Sequence, residues 1–138
     1  MSDPEVINNL CAISVIFLKD IDNACMCIKN EMMKRKIKYY GFSLARIPGK
    51  EIELSFLINE SNIFPFMEIM GILKNDLKIK HCLIDSSMAL ISWKGLFFSI
   101  YEESEKYRDK IRRVFENEKG GFIICENESA HDICNLFF

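Results

Sequence analysis

Between residues 12 and 84 the spacing of apolar side chains changes repeatedly between the two-residue repeat of a strand and the 3.6-residue repeat of a helix. The order of those changes leaves few folds open. Residues 12–18 are rich in β-branched side chains and read as a buried strand. Residues 20–36 carry Ile21, Cys25, Ile28 and Met32 on one helical stripe. Asp20 and Asp22 stand at the positive end of that helix and Lys34, Arg35 and Lys36 at its negative end, as the macrodipole favours. Residues 38–47 and 51–58 are two strands, and Pro48-Gly49 between them supplies the fixed φ and the permissive residue of a type II turn. In the second of these, Ile52, Leu54, Phe56 and Ile58 alternate with Glu51, Glu53 and Ser55, giving one buried and one wetter face. A helix over 63–77 with Pro65 in its first turn follows, then a strand over 79–84.

The flanks are read from local signals. Asp3-Pro4 is a helix opening, with a cap followed by proline in the first turn, and predicts a short helix to Leu10. One helix continuing from there through residue 18 is the competing reading. Residues 88–93 and 96–101 form a hairpin turning on Lys94-Gly95. A third helix starts near Ser104, carries Tyr107, Ile111, Val114 and Phe115 inward, and stops at Gly120-Gly121. Residues 122–125 are a last strand and 129–138 a terminal helix. No internal repeat, low-complexity tract or linker stands out. The expected fold is a single compact α+β domain over residues 1–138, an antiparallel sheet with helices packed on it: a ferredoxin-like βαββαβ core with an extra hairpin and helices. A profilin- or longin-like sandwich is the alternative.

Composition narrows the function by exclusion. With 138 residues, 49% of them hydrophobic, the chain can bury a core without disulfides or metal. The formal net charge of −2 gives no global attraction to nucleic acid or to an anionic membrane. No apolar run nears the roughly 18 residues that a spanning helix needs. The opening Met-Ser-Asp-Pro-Glu is acidic, so neither a secretory leader nor a mitochondrial presequence is expected there. The six cysteines, at 11, 25, 27, 82, 125 and 134, then read as reduced, mostly buried thiols of a cytoplasmic or nuclear protein. Abundant Ile, Lys, Asn and Phe give the chain the look of an AT-rich genome.

Candidate chemistry is thin. Cys25-Met26-Cys27 and His81-Cys82 suggest a metal, but one intervening residue strains a chelate loop, and on a helix Cys25 and Cys27 point about 200° apart. Gly41-Phe42-Ser43-Leu44-Ala45, with Asp85 and His131 after it, has the order of a hydrolase triad. Its serine, however, falls inside a strand rather than at a strand-to-helix turn. No cofactor, metal or catalytic residue is expected.

The positive signals are apolar. In the helix from residue 63, Ile63, Phe64, Phe66, Met67, Ile69, Met70, Ile72 and Leu73 surround the axis, so one face has more apolar surface than a two-layer domain can cover. The terminal Leu136, Phe137 and Phe138 must also dock, on this domain or on another chain. Phe64, Phe66, Met67, Met70, Leu136, Phe137 and Phe138 are therefore the candidate partner-binding residues of a non-catalytic regulatory module. Its expected partner is a protein, a second copy of the chain included. The runner-up is a ribosome- or ribonucleoprotein-bound factor, touching phosphate through Lys34, Arg35, Lys36, Lys38, Arg112 and Arg113 and stacking through Tyr39 and Tyr40. A small enzyme ranks third.

Overall fold

The computed structural model describes residues 3–18, 21–48, 51–95 and 109–138. Among the described residues six strands run Glu5–Phe17 (β1), Tyr39–Ile47 (β2), Glu51–Asn59 (β3), Ile79–Lys94 (β4), Ile111–Asn117 (β5) and Gly120–Glu126 (β6). The described helices are Ile21–Lys34 (α1), Ile63–Leu73 (α2), preceded by a 3-10 turn over Glu60–Asn62, and Asn127–Phe137 (α3). Contacts divide the chain into two compact units: a central one, Cys11–Ser86, and a terminal one made of Met1–Leu10 and Ser87–Phe138. The long strands β1 and β4 each contribute their two halves to different units.

The central unit runs β1, α1, β2, β3, α2, β4, with the strands side by side in the order β2-β3-β1-β4. This is the ferredoxin-like βαββαβ arrangement, and each of the six elements was legible in the sequence. Its core follows the two periods. Cys11, Ile13, Val15 and Phe17 alternate inward from β1, and Ile52, Leu54, Phe56 and Ile58 from β3. Ala24, Ile28 and Met32 face them from α1, and Phe66, Ile69, Met70 and Leu73 from α2. Phe56 ties the layers together, stacked on Phe42 at 5.8 Å and meeting Phe66 edge-on at 5.5 Å. Gly41, with φ +60, takes up the irregularity where β2 slips register against β3 between Tyr40 and Ser43. The expected Pro48-Gly49 turn extends past the described residues, as does the Asp20 cap.

Both helices of this unit end in the same way. Lys36 and Lys78 adopt left-handed conformations, φ +56 and +51. Beyond α1, the Ile37 N–H donates to the Met32 carbonyl (2.9 Å) and the Lys36 N–H to that of Met33 (3.0 Å). Beyond α2, the Ile79 N–H donates to Lys74 (3.1 Å) and the Lys78 N–H to Asn75 (3.4 Å). These are Schellman closures, and the isoleucine after each left-handed lysine is drawn under the helix end. The tripeptide Lys-Ile-Lys, at 36–38 and again at 78–80, is therefore a short internal repeat at equivalent points of the fold.

The terminal unit has the strand order β1-β4-β6-β5. Counted from β4 as first strand, β5 is second, β6 third and β1 fourth, which reproduces the order of the central unit by circular permutation. Here three sequence expectations need correction. Residues 5–10 are strand, not helix: the Asp3-Pro4 cap signal is local, and pairing within the sheet overrides it. Asn9 turns left-handed (φ +58) and is held reciprocally by Asn127, whose Oδ1 accepts the Asn9 N–H and whose Nδ2 donates to Asn9 Oδ1, both at 3.0 Å.

Second, the expected strand over 88–93 is present, but as the end of β4, continuous with residues 79–84, and it pairs antiparallel with β6, Ala89 against Cys125 and Ile91 against Ile123. The expected return strand over 96–101 lies outside the described residues, as do residues 104–108 of the expected third helix. Third, residues 111–117 of that helix are strand β5, in a hairpin with β6. Its register shifts between Ile111 and Arg113. The extra residue moves the inward positions to 111 and 114, a spacing of three that mimics a helix. Gly120 and Gly121 are not a helix stop but strand residues under Trp93, where a Cβ would fall 2.2 Å from the Trp93 carbonyl or 2.5 Å from its ring.

Ala89, Ile91, Trp93, Ile123 and Cys125 form this unit's core with Ala130, Ile133 and Phe137 of α3. Burial pushes the Cys125 thiol up to about 12, with the neighbouring Cys134 and Glu126 adding to the effect, so it remains a protonated, apolar side chain.

Candidate functional site

The outward face of α2 is built by sequence spacing alone. Phe66, Ile69, Met70 and Leu73 fill the inner stripe, which leaves positions 64, 67, 68, 71 and 72 to the other side. Phe64 is 83% exposed, Met67 45% and Ile72 56%, while a Cβ on Gly71 would meet nothing within 4 Å. Glu68 is the only charge in the helix. Of the four candidates expected on α2, Phe64 and Met67 face outward, whereas Phe66 and Met70 are committed to the core. Ile72, which was not among the candidates, joins the outward pair.

At the chain's end, Phe137 is buried against α3's own unit, and the Phe138 ring packs on Trp93 at 5.5 Å. Only Leu136 is turned outward. Two of the three terminal candidates thus dock on their own domain.

The basic candidates separate. Lys34 and Arg35 both bind Glu31, at 3.1 Å and 2.6 Å, and these hydrogen bonds hold its carboxyl below the usual range. Lys36, Lys38 and Tyr39 instead line an open pocket of about 490 Å³ with Met26, Lys29, Asn30, Met33 and Ile37. Lys29 lies 4.1 Å over the Phe42 ring, and Lys38 sits 5.3 Å from that of Tyr40. Met26, Lys29, Asn30 and Met33 were not singled out in the sequence. They are the i, i+3, i+4, i+7 stripe opposite Ile28 and Met32, the signal that could have found them. Arg112 and Arg113 lie on strand β5 of the terminal unit, not on a helix.

Ser43 sits inside β2 opposite Ser55, which removes the turn that a hydrolase nucleophile needs. His131 is on the exposed face of α3, bonded to Asn135 at 3.1 Å. Cys25 and Cys27 share α1, with Cys27 Sγ against Asn23 Oδ1 at 3.6 Å. The six cysteines form no disulfide, and no group of three or more His, Cys, Asp or Glu gathers among the described residues. Nor is any described helix long and apolar enough to cross a membrane.

No family model and no curated protein matches the sequence. Solved structures do. The ligand-free regulatory subunit of aspartate kinase from Thermus thermophilus superposes with a TM-score of 0.76 at 11% identity, covering 99% of this chain and 97% of that one. Aspartate kinase from Synechocystis gives 0.78 at 9% identity, over 96% of this chain and 25% of the enzyme. A C-terminal regulatory domain of aspartate kinase from Porphyromonas gingivalis gives 0.66 at 9%, over 97% and 92%. At such identities the likeness is one of fold alone, the ferredoxin-like pattern described above.

Proposed function

We propose that this chain is a non-catalytic regulatory module that docks on a protein partner through the outward face of α2. The carrying observation is the stripe Phe64, Met67, Gly71 and Ile72, apolar and exposed on a helix whose other side already fills the core. Burying it is favoured by about 25 cal/mol per Å² of apolar surface, with almost no charge to desolvate. Phenylalanine and methionine at such a face suit an adaptable protein contact. The fold shared with regulatory subunits and domains supports the regulatory half of the reading. A catalytic role has no constellation of residues among those described to carry it.

A photo-crosslinking residue in place of Phe64, used in the native cell, would capture the docked chain and reveal whether it is a second copy or another protein. The companion variant Phe64→Ser is expected to abolish the complex, read by sedimentation of the wild-type and variant pair, without lowering the melting temperature. A complex that survives this substitution, or a variant that unfolds, overturns the reading.

A further inference from the structure

The pocket at the end of α1 combines features that neither a core defect nor an ordinary solvated face requires. Its volume, about 490 Å³, lies in the small-molecule range. Met26, Met33, Ile37 and Tyr39 give it apolar and aromatic walls, and Lys29, Lys36 and Lys38 are also among its lining residues. No carboxylate among the described residues lines it. Lys34 and Arg35, their neighbours in sequence, are paired with Glu31, whereas no described carboxylate forms an ion pair with Lys29, Lys36 or Lys38. A chain of net charge −2 therefore holds a concentrated positive site.

Lys36 reaches its place at a cost, since its left-handed backbone is a position glycine fills more readily. Three ammonium groups exceed what one carboxylate would balance, and lysine binds phosphate as a point charge. Thioethers and a tyrosine ring suit the face of a planar heterocycle. The Asn30 amide can both donate to and accept from a base edge or a ribose hydroxyl.

We infer that this pocket binds a nucleoside phosphate, its phosphate among Lys29, Lys36 and Lys38 and its base against Met26, Met33 and Tyr39. The site is separate in residues from the α2 face and stands whether or not that face docks a partner. The test is calorimetric titration of the full chain with adenosine and guanosine 5′-monophosphate. Inorganic phosphate, free nucleosides and a short oligoribonucleotide serve as the other arms. Saturable binding of at least one monophosphate, one per chain, is expected, weakening as salt rises and at least about ten-fold tighter than its nucleoside or phosphate alone. Lys36→Gly removes one charge while relieving the backbone, so it should weaken binding about ten-fold without loss of melting temperature. Lys29→Gln should weaken binding similarly. Binding of the oligoribonucleotide alone, equal binding of phosphate by itself, or monophosphate binding indifferent to both substitutions overturns the assignment.

Discussion

The two helices of the central unit occupy equivalent places in its βαββαβ order, yet their outward faces have opposite chemistry. Outward from α1, the thioethers Met26 and Met33 alternate with Lys29 and Asn30 over a pocket. Outward from α2 there is Phe64, Met67, Gly71 and Ile72, with Glu68 the single charge. Fixed charges make a face costly to strip of water, so α1 favours a ligand that brings its own counter-charge. A face almost without charge gains from being covered whole, which only a macromolecule can do. Under the two proposals, equivalent scaffold positions would take different ligand classes, with charge density rather than fold deciding which.

The largest effect that would break this comparison lies in the two faces of α2 itself. Phe66→Ala removes a fully buried ring that meets Phe56 and should cost about 3–5 kcal/mol. Phe64→Ala, two residues away, should change stability by no more than about 0.5 kcal/mol. Equal losses in denaturant unfolding would mean that the outward face is covered by the chain's own structure. The C-terminus provides the next largest effect. Deleting residues 136–138 removes buried Phe137 and the Phe138–Trp93 contact, and should cost about 2–5 kcal/mol. An unchanged melting temperature would return these residues to the role of a docking peptide.

How far the sequence could be read follows the same physical lines. The central unit was legible element by element because each period is intact: Ile52 to Ile58 alternate cleanly, and Ile28 and Met32 sit one turn apart. In the terminal unit, single residues break the period. The bulge at Arg112 gives β5 a helical spacing, and the exposed stretch before Asn9 lacks a strand-like alternation. The proposed binding faces were legible only by halves. That α2 is apolar all round was plain, but Phe64 and Phe66 are the same residue type, and only the direction of the core distinguishes them. Lys36 and Lys38 are expected from the sequence only as phosphate contacts of the runner-up, and Lys29 is not singled out, because their meeting at one pocket depends on the Schellman turn that carries the chain from α1 into β2.

Smaller effects sharpen the comparison. Lys36→Gly and Lys78→Gly both replace a left-handed lysine at a helix end, and each should stabilise by about 0.5–1 kcal/mol. Only the first removes a pocket charge. A nucleotide affinity lowered equally by both would show that general charge, not the pocket, is responsible. On α2, Gly71→Ala should also stabilise by about 0.5–1 kcal/mol, because the helix interior disfavours glycine and the added methyl meets open space. If the flat spot at Gly71 is where the partner's backbone approaches, the same variant loses association while gaining stability. Gains in both would move the contact elsewhere along the helix.

The smallest expected effect tests the polar side of α1. Glu31 takes a hydrogen bond from Arg35 Nη1 at 2.6 Å and one from Lys34 Nζ at 3.1 Å, and these hold its carboxyl below the usual range. A lowered carboxylate pKa contributes stability that is present above the unfolded value and is lost as pH falls through the folded one. Glu31→Gln should therefore be slightly less stable than the wild type at neutral pH, and the difference should close as the solution is acidified below the folded pKa. The group is solvent-facing, so added salt should shrink the difference further. Because Lys34 and Arg35 stand outside the pocket, the substitution should leave nucleotide affinity nearly unchanged. A marked gain in affinity would mean that Glu31 holds those two cations away from the pocket, so that five charges rather than three are usable there. A wild-type and variant difference that persists in acid would show that the glutamine perturbs the helix by some route other than charge.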